Sequence, residues 1–190
     1  MAALTESRKA LVSDDGLLSV RDWLAIGETK PHYELINGQL VQKQMKTYRQ
    51  CKAVGSFLTA CISQCEIYGW QFFLGGTGVY VSERIGYVPD VVGFAPGNEV
   101  DPEAAIEGAP TLVVEVLSPG TATKDRTDKK RNYARIGVRI YILIDPTQKT
   151  MEVFRLNGTR YRTPETLREN DVWTPAELPE LELQLSKLWM

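Results

Sequence analysis

Apolar positions along the chain change period several times, and each change marks an element. Val54, Phe57, Leu58, Cys61, Ile62 and Cys65 recur at spacings of three and four, which predicts one helical face over 47–67, ended by Gly69. Leu112–Leu117 (LVVEVL) and Val138–Ile144 (VRIYILI) are near-continuous apolar runs, the pattern of central strands covered on both faces. Between them, residues 122–136 predict a helix capped by Thr121 or Thr123, after a Pro119-Gly120 turn. Strand, helix and strand in that order form a crossover unit, so the two strands should be parallel. Asn37-Gly38 predicts a hairpin between Tyr33–Ile36 and Gln39–Lys43, and Asn157-Gly158 predicts another between Met151–Leu156 and Tyr161–Thr163. Gln71–Leu74 and Gly78–Ser82 read as short strands around a Gly75-Gly76 turn. Tyr87–Phe94 (YVPDVVGF) reads as one strand, with Pro89 near its start or on an edge. Ser19 caps a short helix that Gly27 ends. Residues 1–18 are expected to form a loose arm, residues 96–110 a polar connection, and the Leu and Trp residues of the tail to pack on the core.

A chain of 190 residues suits one domain, here 19–190. No run of about 18 uncharged apolar residues occurs. The first residues carry Glu6, Asp14 and Asp15 rather than a signal pattern, so a cytoplasmic protein without a membrane partner is expected. Cys51, Cys61 and Cys65 are too few and too clustered for a disulfide framework, and with a single histidine, His32, they point to buried, inert thiols on a helix rather than zinc. His32 reads as a strand-start residue. Gly75-Gly76-x-Gly78 lacks the Lys-Ser/Thr of a phosphate loop and reads as a hairpin or rim. The net charge of −2 hides an asymmetry: residues 124–139 hold seven Lys/Arg against two Asp. Such a stripe is either a phosphate-facing footprint or a solvated helix face.

Two strands carry a lone acid: Asp90 in the first, Glu115 in the second. Burying an ionised carboxylate is costly unless a cation or strong donors compensate it. Two such acids on neighbouring strands suggest a hard divalent cation that polarises a phosphate and activates water. A lysine beside them would orient the water or stabilise developing charge. Asp125, Lys129 and Tyr133, spaced i, i+4, i+8, share one helix face, so Lys129 is either that lysine or simply the ion-pair partner of Asp125.

YELINGQLV, VPDVVGF, LVVEVLSPGT, the Asp125–Lys129–Tyr133 spacing, IGV and YILIDP resemble, in order and spacing, the Uma-two family of restriction-like endonucleases, within the PD-(D/E)XK nuclease superfamily. The resemblance spans about residues 19–189. It implies an α/β (α+β) fold with a restriction-endonuclease-like core, a mixed central β-sheet flanked by helices. It implies Asp90, Glu115 and the Val116 carbonyl as ligands of Mg²⁺ (or Mn²⁺), with Glu34 either joining them or serving as an ordinary hairpin acid. Catalysis would rest on Asp90, Glu115 and Lys129, supported by Asp125 and Tyr133. Lys124, Arg126, Lys130, Arg131 and Arg135 would contact DNA. The chain departs from the pattern at Leu117, where the superfamily has its lysine, which makes Lys129 the replacement. The region around Gln50 lacks a histidine that many members carry. Ile140 and Ile142 replace an acid and a tryptophan, which read as packing differences.

Three functions fit these residues. The first is an Mg²⁺-dependent DNA endonuclease, working as a homodimer because duplex cleavage from one active site per chain calls for two chains. The second is a catalytically inactive nuclease fold used for DNA binding or protein assembly. The third is a metal hydrolase acting on a small phosphorylated molecule.

Overall fold

A computed structural model describes residues 16–27, 31–98, 100 and 108–190. Most of the expected arm and much of the polar connection lie outside the described residues.

The chain opens with α1 (Val20–Ala25), where Ser19 and Asp22 form a reciprocal cap. The Asn37-Gly38 hairpin pairs β1 (Tyr33–Ile36) with β2 (Gln39–Gln42). Asn37 and Gly38 both take positive φ, as that tight turn requires. Helix α2 (Tyr48–Cys65) is capped by Thr47 and passes through a 3-10 turn, Glu66–Tyr68, to Gly69. Then follow β3 (Gln71–Leu74), β4 (Val79–Ser82), β5 (Ile85–Tyr87), β6 (Val91–Phe94) and β7 (Leu112–Val116). A helical arm runs through α3 (Ala122–Lys124), a π-helical stretch (Asp125–Lys129) and α4 (Lys130–Ile136). The remaining strands are β8 (Ile140–Asp145), β9 (Thr150–Asn157), β10 (Arg160–Tyr161), β11 (Glu165–Arg168), β12 (Val172–Trp173) and β13 (Leu183–Gln184).

The large sheet has the order β10-β9-β8-β7-β6-β3, with β11 also on β9; β7 and β8 are parallel, as the crossover requires, and the other pairs are antiparallel. The fold is thus mixed α+β around a mixed sheet. A smaller sheet has the order β2-β1-β5-β4. On one face of the large sheet, Leu112, Val114, Val116, Ile142 and Ile144 meet Phe57 and Cys61 of α2, and Trp173, Leu178 and Leu188 of the tail. On the other face, Val113, Leu117, Tyr141 and Phe154 meet Tyr133 of α4, together with Val79, Val81 and Tyr87 of the small sheet. The expected packing of the tail is therefore observed.

Four expectations need correction. The run 87–94 is not one strand. Tyr87 ends β5 in the small sheet and Val91 begins β6 in the large one, with Val88, Pro89 and Asp90 crossing between them. Nor do the strands flanking Gly75-Gly76 pair with each other, because β3 bonds β6 and β4 bonds β5. Gly75 is needed instead for close approach: its N–H bonds the Asp90 carbonyl at 2.8 Å, and a Cβ there would lie 2.7 Å from the Pro89 oxygen. Thr121 occupies the cap position of α3 but makes no capping bond; its hydroxyl meets that of Ser118 at 3.0 Å. Cys51 is exposed, whereas Cys61 and Cys65 are buried and burial raises both thiols, Cys65 to about 11.

Candidate active site

The site forms near the C-terminal end of β7, where the two sheets and the helical arm converge. Side chains alternate along a strand, so Glu115, between Val114 and Val116, points away from α2. Asp90 is tied to the same strand twice: its N–H bonds the Val114 carbonyl at 3.1 Å, and its Oδ2 accepts the Val116 N–H at 2.8 Å. The register pairs Val91 with Val114, so one residue further Asp90 stands opposite Glu115. The Val116 carbonyl lies on the same strand edge as its N–H, toward Asp90.

The helical arm supplies the cation. Asp125 and Lys129 bound its π-helical stretch, and both are buried with Tyr133. A π-helical turn widens a helix and is frequent at functional sites. Lys129 Nζ lies 2.8 Å from Glu115 Oε1, 2.8 Å from Glu34 Oε1 and 3.4 Å from Asp125 Oδ1. The Tyr133 hydroxyl donates to Glu115 Oε1 at 3.1 Å. Lys124 Nζ reaches Glu34 Oε2 at 3.0 Å. The sequence-predicted Asp90, Glu115, Glu34, Lys124, Asp125 and Lys129 thus line one cleft of about 150 Å³.

The basic stripe divides. Lys124 and Lys129 face this cleft, whereas Arg126, Lys130, Arg131 and Arg135 line a separate groove with Arg160 and Tyr161 of β10. Arg126 is paired with Glu152, Arg131 with Asp128, and Lys130 lies over the Phe154 ring. A straight reading of the stripe could not separate these two faces.

Sequence reasoning missed Lys43, Lys46 and Gln50. Lys43 and Lys46 lie in the four-residue strap between β2 and Thr47 and reach Asp90 Oδ1 at 3.2 Å and Oδ2 at 2.7 Å. Lys43 also donates to the Val88 carbonyl. Gln50 lies in the first turn of α2. Its Nε2 donates to the Leu117 carbonyl at 2.9 Å, and its Oε1 accepts the Thr47 N–H at 2.8 Å. The detectable signal was the Lys43-x-x-Lys46 spacing just before a capped helix. Lysines in a connection ordinarily face water, so the spacing alone carried little.

The electrostatics follow from burial and these cations. Burial works to raise Asp90, but Lys43 and Lys46, with the Lys46 and Val116 hydrogen bonds, outweigh it and hold the carboxyl below its usual range. Glu34 is likewise lowered, burial being outweighed by Lys129, Lys124 and Lys43. Burial pushes Glu115 up to about 7, opposed by Lys129 and Lys43 and aided by Asp90 and Asp125. Burial pulls Lys129 down, but Glu115, Glu34 and Asp125 outweigh it and keep the ammonium well above its ordinary range. Lys129 therefore stays charged near neutral pH in this arrangement.

The donor set suits a hard divalent cation: carboxylate oxygens from neighbouring strands, an adjacent carbonyl, and the buried Asp125 Oδ1, which makes no hydrogen bond. Among the described residues, no three acids, histidines or cysteines form a ready cation cage. The oxygens are instead engaged by ammonium groups: Lys129 lies among Glu34, Glu115 and Asp125, and Lys43 and Lys46 sit on Asp90.

Among the described residues, no helix is long and apolar enough to cross a membrane. A crystal structure of a putative nuclease belonging to DUF820 from Anabaena variabilis is similar to this chain, with a TM-score of 0.75 and 22% identity over 90% of this chain and 97% of that one. At that identity the likeness establishes the fold. No curated protein matches. The family described as Uma2, putative restriction endonuclease, matches residues 20–186. That match runs across nearly the whole chain, and the protein belongs to the Uma2 family.

Proposed function

We propose that this chain is a metal-dependent endonuclease that hydrolyses phosphodiester bonds in DNA. The observation that carries this reading is the convergence of Asp90 and Glu115 on one cleft, with the ammonium of Lys129 2.8 Å from Glu115. Asp90, Glu115 and the Val116 carbonyl would hold Mg²⁺ or Mn²⁺, with Glu34 and Asp125 around them. Bound there, the ion supplies Lewis-acid polarisation of the phosphate and a more acidic water. Burial pushes Glu115 up to about 7 in the metal-free cleft, so binding of the ion there would displace a proton. Lys129 remains positive and stabilises charge that develops on phosphate oxygens. Tyr133 and Asp125 fix Glu115 and Lys129 in place. Lys124, and across the other groove Arg126, Lys130, Arg131 and Arg135, offer cations to flanking phosphates. Two copies would serve the two strands of a duplex, which light scattering of the purified protein can check.

The test is nicking of supercoiled plasmid in Mg²⁺ or Mn²⁺ by the parent chain, Asp90→Ala and Glu115→Ala. Metal-dependent nicking by the parent and its loss in both variants support the reading. Equal cleavage by all three, or none by the parent, rejects it. In the second case the alternative takes over: a nuclease fold kept for DNA binding or assembly. That alternative draws on Leu117 at the superfamily lysine position and on the complete pairing of Asp90 by lysines.

A further inference from the structure

The charges around the cleft are balanced. Four carboxylates line it: Glu34, Asp90, Glu115 and Asp125. Four ammonium groups line it too: Lys43, Lys46, Lys124 and Lys129. A divalent ion added to this set leaves positive charge in excess, in a place where uncompensated charge is costly. Withdrawal of an ammonium group from the carboxylates relieves that excess.

The lysines differ in how easily they can leave. The Lys129 side chain is 4% exposed and is held by three acids. The Lys43 and Lys46 side chains are 19% and 27% exposed, and they belong to a connection, not to a helix or strand. Both end on Asp90, the acid expected to hold the ion. Lys124 is also 27% exposed, but it pairs with Glu34 and not with Asp90 among the described residues.

We infer that Lys46, seconded by Lys43, is a latch on the cation site: its ammonium occupies the Asp90 carboxylate until a divalent ion displaces it. The inference rests on the metal-dependent reading above. The strap holding the latch is steadied by Gln44, whose amide lies against Gly120 and beside Ser118. Displaced, the two ammonium groups remain at the mouth of the cleft, where a phosphodiester would arrive.

A latch closed nine-tenths of the time weakens apparent affinity about tenfold. Calorimetric titration of Mn²⁺ into the full chain measures this directly, without DNA or turnover. Lys46→Gln keeps a donor for Asp90 Oδ2 while removing the charge, and it should bind Mn²⁺ about tenfold tighter than the parent. Lys124→Met removes a cation from the same cleft without freeing Asp90, and its gain should be clearly smaller. Thermal melts provide a second readout: Mn²⁺ should raise the Tm of Lys46→Gln more than that of the parent. A parent that takes up no Mn²⁺ beside a Lys46→Gln chain that does is the strongest support. Equal affinity of parent and Lys46→Gln, weaker binding by Lys46→Gln, or equal gains from both variants overturns the latch and leaves the nuclease reading standing. Absence of Mn²⁺ binding in every protein overturns both.

Discussion

The two faces of β7 are built from alternate residues of the same five-residue strand, yet they are stabilised by different physics. Leu112, Val114 and Val116 meet Phe57, Cys61 and the tail through apolar contact. On the opposite face, Val113 and Leu117 flank Glu115, whose carboxylate requires Lys129 and Tyr133. Apolar burial is insensitive to pH and tolerant of small shifts. A buried charge cluster is sensitive to both, because loss of one partner leaves the others unpaired. The apolar face holds the strand in place, and the charged face makes that place chemically useful.

The sharpest way to break this comparison is to remove the central partner on each face. Lys129→Met leaves Glu34, Glu115 and Asp125 without their shared ammonium and should cost about 3–5 kcal/mol at pH 8. Phe57→Ala should cost about 3–5 kcal/mol by opening a cavity. Chemical denaturation across pH separates them. The Lys129→Met deficit should shrink as pH falls and the acids take up protons, while the Phe57→Ala deficit stays level.

Glu115→Gln splits stability from function. The amide still accepts from Lys129 and Tyr133, so stability at pH 8 should change by no more than about 1 kcal/mol. Plasmid nicking should fall about a hundredfold or more.

The third prediction concerns pH. Burial raises Glu115 to about 7 from the 4.5 of a free glutamate, so the folded chain binds a proton that the unfolded chain releases. Its contribution to stability therefore declines as pH rises from 4.5 to 7. Asp90 and Glu34 are lowered, and their contributions are lost as pH falls through their folded values. Since a cation must displace the Glu115 proton, Mn²⁺ affinity should climb about tenfold per pH unit below 7 and level off above it. Calorimetry at several pH values checks the slope, and Glu115→Gln should flatten it.

The smallest effect is expected from the groove beyond the cleft. Arg131→Ala removes an exposed cation paired with the exposed Asp128, so the Tm should hold. The slope of log affinity for duplex DNA against log salt should fall by about one. An unchanged slope would show that this groove does not meet the nucleic acid.

Much of the framework was legible in the chain. The β7–helix–β8 crossover, the Asn37-Gly38 hairpin and the α2 face follow from local periodicity and turn chemistry, which short windows of sequence record. The two acids were legible because an acid in an apolar run contradicts its surroundings. The passage of Val88–Asp90 between sheets was not legible, since VPDVV is apolar on both sides of the break and periodicity does not say which partner a strand will find. The division of the basic stripe was hidden for a related reason: the π-helical stretch alters the helical phase, and side-chain spacing alone does not reveal it. Lys43 and Lys46 were hidden because their partner, Asp90, lies more than forty residues away in sequence.

The three-residue step from β5 to β6 has a mechanical consequence. Val88 packs with Trp23 and Leu35 beneath the small sheet, Asp90 is bolted to β7 of the large one, and a rigid proline ring joins them. Any sliding of one layer past the other must twist this joint, and the carboxylate rides on it. Pro89 thus ties the aim of the Asp90 carboxylate to the seating of both sheets.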